Sequence, residues 1–178
     1  MTEFRKIVNE HEERVRNTLF RFVKTREDTE DIAQEVFIQV YESMGKFRGD
    51  AELSTWIYKI TVNKAIDFLR RKKRKKRFAQ LTSIFGNDEE YEEVNIPSSS
   101  NPASDLETEQ RKEILNMALD KLPENQRTAI ILSRYEGFSN KEIAKIMSSS
   151  VSSVESLLHR AKKNLHKILY DYYEKKIF

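Results

Sequence analysis

The sequence of 178 residues contains no cysteine, only four glycines and only three prolines. The absence of cysteine excludes disulfide bonds and thiolate zinc sites. No apolar run approaches the ~18 residues that a membrane span requires. The N-terminal stretch MTEFRKIVNEHEERV also lacks the apolar core of a secretory signal. We therefore expect a cytoplasmic protein that does not insert into a membrane.

Charge is abundant and unevenly placed. Residues 1–77 carry 19 basic and 13 acidic side chains, residues 78–108 carry seven acidic and no basic ones, and residues 109–178 carry 13 basic and nine acidic ones. The run RRKKRKKR at 70–77 supplies the whole positive balance of the first block. Two basic blocks joined by an acidic segment indicate a nucleic-acid partner.

The middle of the chain breaks helical periodicity. Residues 78–107 hold Gly86, Pro97, Pro102, a serine run and an acidic cluster, which together are typical of a linker. A short helix near Leu81–Phe85 is the one element expected there. We predict a flexible acidic linker over 78–108 between domains at 1–77 and 109–178.

Apolar spacings of three and four residues predict three helices in the first block. The first has the stripe Phe4, Val8, His11, Val15, Leu19 and Phe22. The second, from about Asp28, has the buried side Ile32, Ala33, Val36, Phe37, Val40, Tyr41 and Met44. The third runs from about Thr55 through the basic run, with the buried stripe Tyr58, Val62, Ala65, Ile66 and Leu69. Another side of this third helix carries Trp56, Ile60, Asn63, Asp67, Arg70 and Arg74.

The second block is predicted to be helical as well. Pro123 suits the start of a helix, and Gly137 suits the end of one. Ser139 and Glu142 have the spacing of a capping box, and so do Ser152 and Glu155. The second box precedes a helix with the stripe Val154, Leu158, Ala161, Leu165, Ile168 and Tyr172. Two helices joined by a tight turn, the second with polar and basic residues outward, are typical of a helix-turn-helix.

No catalytic constellation is present. The three histidines, at positions 11, 159 and 166, have no arrangement with carboxylates that suggests a metal site. The chain also lacks a nucleophile elbow and a phosphate-binding glycine loop. We predict that the protein is not an enzyme and has no cofactor or metal.

Several features allow two interpretations from the residues alone. The basic run is either a solvated helix end or a phosphate-binding surface, and Trp56 either a core residue or a base-stacking platform. Acids at Asp28, Asp31 and Glu35 either favour a helix start or form a docking face for a basic partner. Glu155 either closes a capping box or accepts a hydrogen bond from a cytosine amino group.

Two long stretches resemble the extracytoplasmic-function (ECF) sigma factors of the sigma-70 family. DTEDIAQEVFIQVYESMGKFRGDAELSTWIYKITVNKAIDFLRRKKR (28–74) resembles their second conserved region. LDKLPENQRTAIILSRYEGFSNKEIAKIMSSSVSSVESLLHRAKKNL (119–165) resembles their fourth. The resemblance implies an all-α fold of two small domains, a sigma2-like helical bundle and a sigma4-like helix-turn-helix domain.

The resemblance also implies partners and sites. Core RNA polymerase would dock on Asp28, Asp31, Gln34, Glu35 and Gln39. The single-stranded −10 element would be held by Phe47, Arg48, Ser54, Thr55, Trp56, Lys59, Asn63, Arg70, Arg71 and Arg74. The duplex −35 element would be read by Ser153, Glu155, Ser156, His159, Arg160 and Lys163, with Arg134 on phosphate. An anti-sigma factor is a further partner expected from the family.

The chain departs from the family pattern in its last helix. Where members often have GTV-[KR]-SR-x-x-RA, this sequence reads SSVESLLHRA, so Glu155 and Leu157 occupy positions that are commonly basic. A different −35 preference follows, with more weight on Arg160, Lys162 and Lys163. The competing hypotheses are a free-standing helix-turn-helix regulator and a protein that binds RNA non-specifically through the basic run.

Overall fold

The computed structural model describes residues 2–47, 52–83 and 104–177, and every regular element within these ranges is helical. The α-helices are α1 (Thr2–Val23), α2 (Arg26–Ser43), α3 (Leu53–Ser83), α4 (Ser104–Asp120), α5 (Glu124–Ile130), α6 (Asn140–Ile146) and α7 (Val151–Ile177). A 3₁₀ turn at Met44–Lys46 follows α2, and a π-helical turn at Ile131–Tyr135 follows α5. The predicted all-α fold is confirmed for these ranges.

The long helix α3 contains the whole basic run. It continues to Ser83, and α4 begins at Ser104, so helices occupy both ends of the segment predicted as a linker. The rest of that segment, 84–103, lies outside the described residues, as does Phe85 of the predicted short helix. The basic run is therefore a helical surface rather than part of a tail.

Helices α1, α2 and α3 pack around one apolar core. Val15 and Leu19 of α1 are fully buried there, which confirms the predicted stripe. Val36 and Val40 of α2 and Ile57 of α3 complete its centre. This packing fixes the outward sides of α2 and α3, which carry the predicted sites.

The second block forms around α7. Leu119, Leu122 and Ile130 pack against Ala161 of α7. The predicted stop at Gly137 is confirmed, because its φ of +73° is a conformation that glycine adopts without steric cost. This turn separates the π-helical turn from α6. A second turn, at 147–150, joins α6 to α7, and these are the two helices of a helix-turn-helix.

The two blocks also pack against each other. Tyr58 and Val62 of α3 lie in one buried cluster with Phe138 and Ile143 of the second block. Conversely, Ile131 of the second block lies in the apolar cluster formed by the first block. The prediction that Tyr58 is buried is confirmed, although the second block rather than the first supplies much of its cover.

Side chains cap α6 and α7 differently. Before α6, the Glu142 carboxylate accepts the Ser139 N–H at 2.8 Å and the Ser139 hydroxyl accepts the Glu142 N–H at 3.4 Å, so the predicted capping box is confirmed. The box predicted at Ser152 is wrong, because Ser152 lies inside α7. Ser150 caps this helix instead, with its hydroxyl accepting the Ser153 N–H at 3.2 Å.

Replacing Ser139 by alanine should lower the free energy of unfolding by about 1 kcal/mol, as loss of a helix cap does. Hydrogen bonds from Ser139 lower the pKa of the Glu142 carboxyl. This stabilisation is therefore present above the carboxyl's ordinary pKa, near 4.5, and is lost as the pH falls through the folded value. Urea denaturation at several pH values measures both effects. The Ser156→Ala variant, at an exposed position inside α7, is the control, and an equal loss there would contradict the capping role of Ser139.

Candidate nucleic-acid interface

One side of α3 carries polar, aromatic and basic side chains from its first turn into the basic run. Its members are Trp56, Lys59, Asn63, Arg70 and Arg74, at spacings of three, four and seven residues. Asn63, Arg70 and Arg74 are exposed, and so is the neighbouring Arg71. Cations beside an amide can contact phosphates and a base edge along the same strand.

An aromatic pair lies at the start of α3. The rings of Phe47 and Trp56 are 5.1 Å apart at an angle of 39°. Trp56 is half-buried and packs against the first core, so the core interpretation accounts for part of its ring and the rest stays accessible to solvent. Ser54 is half-buried and Thr55 is buried, so the Thr55 hydroxyl is not on the surface in this conformation. Arg48 lies outside the described residues.

Three cations of α3 already have carboxylate partners. The pairs are Arg70 with Glu124 (2.8 Å), Lys64 with Glu35 (2.9 Å) and Lys72 with Asp28 (3.5 Å). The hydrogen bond with Glu124 raises the pKa of the Arg70 guanidinium. Exposed pairs of this kind contribute little stability, so phosphates can replace the carboxylates at low cost.

Four of the five predicted docking residues are exposed on α2, and the fifth, Asp28, is half-buried. Asp28, Asp31, Glu35 and Gln39 follow one side of the helix at spacings of three and four, and Gln34 lies on the adjacent side. Asp28 is half-buried in the first turn, where its carboxylate accepts the Thr25 hydroxyl at 2.6 Å. The helix-start interpretation therefore accounts for Asp28, whereas Asp31 and Glu35 stand beyond the first turn.

An apolar groove beside these acids was missed. Phe4 of α1 and Phe37, Ile38 and Tyr41 of α2 line a cavity of about 650 Å³ that also borders Gln34. The prediction that Tyr41 is buried is wrong, because 60% of it is exposed and its ring rests edge-on against Phe4 at 5.0 Å. The sequence signal for this groove was Ile38, an apolar residue that lies outside the predicted buried stripe of α2.

The predicted −35 residues form a surface on the first half of α7. Ser153, Glu155, Ser156, His159, Arg160 and Lys163 are all exposed. Val154 and Ala161 face the opposite way and are fully buried. Arg134 is exposed in the π-helical turn. The predicted −35 residues are thus exposed to solvent on one side of α7, while the opposite side of the helix packs against the core.

Tyr58 connects the α3 side of the molecule to the second block. Its hydroxyl donates to the Glu136 carboxylate at 3.1 Å, and its ring meets Phe138 edge-on at 4.8 Å. Burial is the main reason why the pKa of the Tyr58 phenol is raised to about 12. Tyr58 is therefore neutral and hydrogen-bonded over the physiological range.

The Tyr58→Phe variant should lose about 1 kcal/mol of unfolding free energy, as removal of one buried hydrogen bond does. The phenol ionises near pH 10 in the unfolded chain and near 12 in the folded one. Its contribution is therefore complete below pH 10 and falls as the pH rises through 12. Urea denaturation from pH 7 to 11 should show a steeper alkaline loss in the parent than in the variant. The exposed Tyr173, changed to Phe, is the control and should leave the profile unchanged.

Other chemistry finds little support in the described ranges. They contain no group of three histidine or acidic side chains placed to hold a metal ion. Within the same ranges, no helix combines the length and apolarity needed to cross a membrane.

Comparison with known families divides the chain into the same two blocks. The family model described as Sigma-70 region 2 matches residues 7–75, and that described as Sigma-70, region 4 matches residues 112–165. The RNA polymerase sigma-H factor of Pseudomonas aeruginosa is 29% identical over 167 residues, covering 92% of this chain and 84% of that protein. The ECF RNA polymerase sigma-E factor of Escherichia coli K12 is 32% identical over 160 residues, covering 89% and 82%.

Solved structures share the fold. The sigma factor RpoE from Bartonella quintana, in complex with the anti-sigma factor NepR, superposes with a TM-score of 0.71 at 22% identity, covering 96% of this chain and 98% of that one. CnrH in complex with the cytosolic domain of CnrY gives a TM-score of 0.66 at 22% identity, covering 94% and 88%. At this level of identity, the likeness supports the all-α architecture.

Proposed function

Because the chain belongs to the sigma-70 family as an ECF sigma factor, we propose that it binds core RNA polymerase and directs it to promoters with particular −35 and −10 elements. The observation that carries this proposal is that each of the two matched regions exposes most of the residues predicted to bind polymerase or DNA. An acidic face and a cationic helix side lie on the first block, and an exposed recognition helix lies on the second.

We assign the tasks by region. Domain 1–77 docks on polymerase and holds the −10 element, residues 78–108 link the domains, and domain 109–178 reads the −35 element. In docking, Asp31, Gln34 and Glu35 contribute charge and hydrogen bonds. The groove at Ile38 and Tyr41 extends that surface with apolar area, because it borders Gln34.

Promoter opening needs no nucleotide hydrolysis by this chain. Stacking of a flipped base on an aromatic ring, together with hydrogen bonds in a pocket, offsets the lost base stacking by roughly 1–3 kcal/mol per base. Phe47, Trp56 and Asn63 supply the rings and the amide on α3 and the turn before it. Members of this family are transcription initiation factors rather than enzymes, and we assign no catalysis to this chain.

Glu155 is proposed to determine −35 specificity. Since Ser150 caps α7, the Glu155 carboxylate is not needed for a capping box and is exposed on the recognition surface. A carboxylate there can accept a hydrogen bond from a cytosine amino group. Leu157 is half-buried and lies beside this surface rather than on it. Arg160 and Lys163 supply the charge that a basic residue at position 155 would otherwise add.

An anti-sigma factor and a cytoplasmic location are part of the same proposal. The two solved structures compared above are described in complexes, one with the anti-sigma factor NepR and one with the cytosolic domain of CnrY. The cytoplasm is where a bacterial polymerase and its promoters are found. The inducing signal would act through that partner on a regulon defined by the −35 and −10 sequences.

Promoter-directed transcription with purified core polymerase tests the proposal. The chain should convert a core enzyme that starts at random into one that starts at defined sites, which selection from a genomic library identifies. A chain that supports no initiation, yet binds specific duplex DNA without polymerase, would instead be a free-standing helix-turn-helix regulator.

A further inference from the structure

The C-terminal part of α3 projects beyond the core. Ala65 is fully buried and Leu69 is half-buried, but from Arg70 to Phe78 the side chains that the structure describes are all exposed. The helix nevertheless continues to Ser83. The match to Sigma-70 region 2 stops at residue 75, so the end of this projection is a feature of the chain that the family model does not include.

An exposed aromatic ring follows directly after the basic run. Phe78 is 69% exposed, and no other large apolar side chain in the described ranges exceeds that fraction. Phe68, which lies earlier on the same helix, packs against the first core and has the Lys72 Nζ 5.7 Å from its ring centre. Phe78 lies beyond that core, so most of its ring faces solvent, which is unfavourable for an apolar group in water.

Phe78 continues the side of α3 that carries the proposed −10 contacts. Arg74 precedes Phe78 by four residues and Arg71 by seven, which places the three side chains on one side of the helix. The exposed Asn63 lies about 22 Å before Phe78 along the helix axis, at 1.5 Å per residue. That length equals roughly six base pairs at 3.4 Å each. Because the chain continues from α3 to the domain proposed to read the −35 element, this end of the helix is directed upstream.

An aromatic ring beside guanidinium groups has the chemistry of a base-stacking site. A base stacks on the ring while the cations contact the phosphates next to it, and phenylalanine also wedges between base pairs where a duplex is distorted. An anionic membrane is less well matched. A helix that lies on a membrane separates an apolar side from a charged side, whereas residues 70–77 are basic on every side of α3.

We propose that Phe78 stacks on promoter DNA at the upstream edge of the melted region, with Arg71 and Arg74 on the adjacent phosphates. The ring covers a base that loses its neighbour when the duplex opens, and so favours the open state. Phe78 would add a second aromatic contact to the pair formed by Phe47 and Trp56, which lies near the other end of α3. The inference rests on the proposed function, since it requires a promoter that opens along this helix.

Two substitutions at Phe78 separate stacking from charge. Phe78→Ala removes the ring and leaves the net charge unchanged, whereas Phe78→Trp keeps a stacking surface. The matched control is Phe20→Ala, which removes a 45% exposed ring from α1, outside the proposed polymerase and DNA surfaces. Each full-length chain is assembled with core polymerase and titrated with a fluorescent fork-junction fragment of a promoter that library selection identifies. Fragments with a single abasic site, moved stepwise through the upstream edge of the −10 element, locate the stacked base.

We expect Phe78→Ala to bind the fragment roughly tenfold more weakly than the parent, because one stacked base is lost. Its salt dependence should be unchanged, because no phosphate contact is removed. Phe78→Trp and Phe20→Ala should bind like the parent. One abasic position should weaken the parent by a similar factor and leave Phe78→Ala unaffected. Equal affinities of Phe78→Ala and the parent would overturn the stacking contact, as would equal sensitivity of both to every abasic position.

Two other outcomes are distinguishable from these. If the proposed function fails, the parent supports no promoter-directed initiation with core polymerase, and the stacking contact fails with it. Flotation of the full chain with vesicles of anionic phospholipid tests the membrane alternative. Loss of vesicle binding in Phe78→Ala, with parent affinity for the promoter fragment, would assign the ring to a membrane surface and overturn its contact with DNA.

Discussion

The Asp31→Arg variant should bind core polymerase roughly 10- to 100-fold more weakly than the parent, a change of about 1.4–2.8 kcal/mol. Asp31 is exposed on α2, between the first-turn Asp28 and the paired Glu35. A positive charge at this position would repel a basic docking partner. Binding of the labelled chain to core enzyme, measured at two salt concentrations, gives the change in affinity and its electrostatic share.

Charge reversal at Asp31 is a more specific test of the docking assignment than charge reversal at Glu35. Reversal of Glu35 would also repel Lys64 of α3, 2.9 Å away, and so would disturb the −10 surface at the same time. The Glu13→Arg variant is the matched control, because it makes the same change in net charge at an exposed position of α1. Equal affinities of Asp31→Arg and the parent would refute the docking assignment, whereas equal losses in both variants would indicate a non-specific charge effect.

Local pattern predicted the helices of this chain well, for a physical reason. A helix that buries one side must repeat apolar residues every three or four positions, so Val15 and Leu19 mark α1 without reference to anything distant. Gly137 and the Ser139 cap are equally local, since each acts within a turn or two of chain. The same periodicity correctly predicted that Tyr58 is buried.

Prediction failed where burial or capping depends on neighbours that the local sequence pattern does not identify. Tyr41 is apolar and suitably spaced, but α1 covers only part of α2, and the Phe4 ring supports one edge of Tyr41 without burying it. Around the start of α7, several serines could serve as cap, and the backbone geometry selects Ser150 rather than Ser152. The contact between the two blocks is wholly non-local, because Arg127 meets the end of α1 more than a hundred residues away in sequence.

The double variant Arg70→Gln/Arg74→Gln should bind promoter DNA, within the polymerase complex, with a weaker dependence on salt. Both side chains are exposed on the α3 side that carries Asn63. Each lost phosphate contact lowers the slope of log K against log salt by about 0.7 on single strands and 0.9 on duplex. The slope should therefore decrease by about 1.4–1.8. Titration of a fluorescent promoter fragment from low to high salt measures it.

The matched control is Lys73→Gln/Lys75→Gln, which removes the same charge from exposed positions on other sides of α3. Both double variants reduce the net positive charge of the basic run equally, so a larger change of slope in Arg70→Gln/Arg74→Gln than in this control measures the phosphate contacts. Arg70 adds a second effect, because loss of its pair with Glu124 weakens the contact between the blocks. An unchanged slope would refute the phosphate contacts of Arg70 and Arg74 and would leave RRKKRKKR as a solvated helix surface.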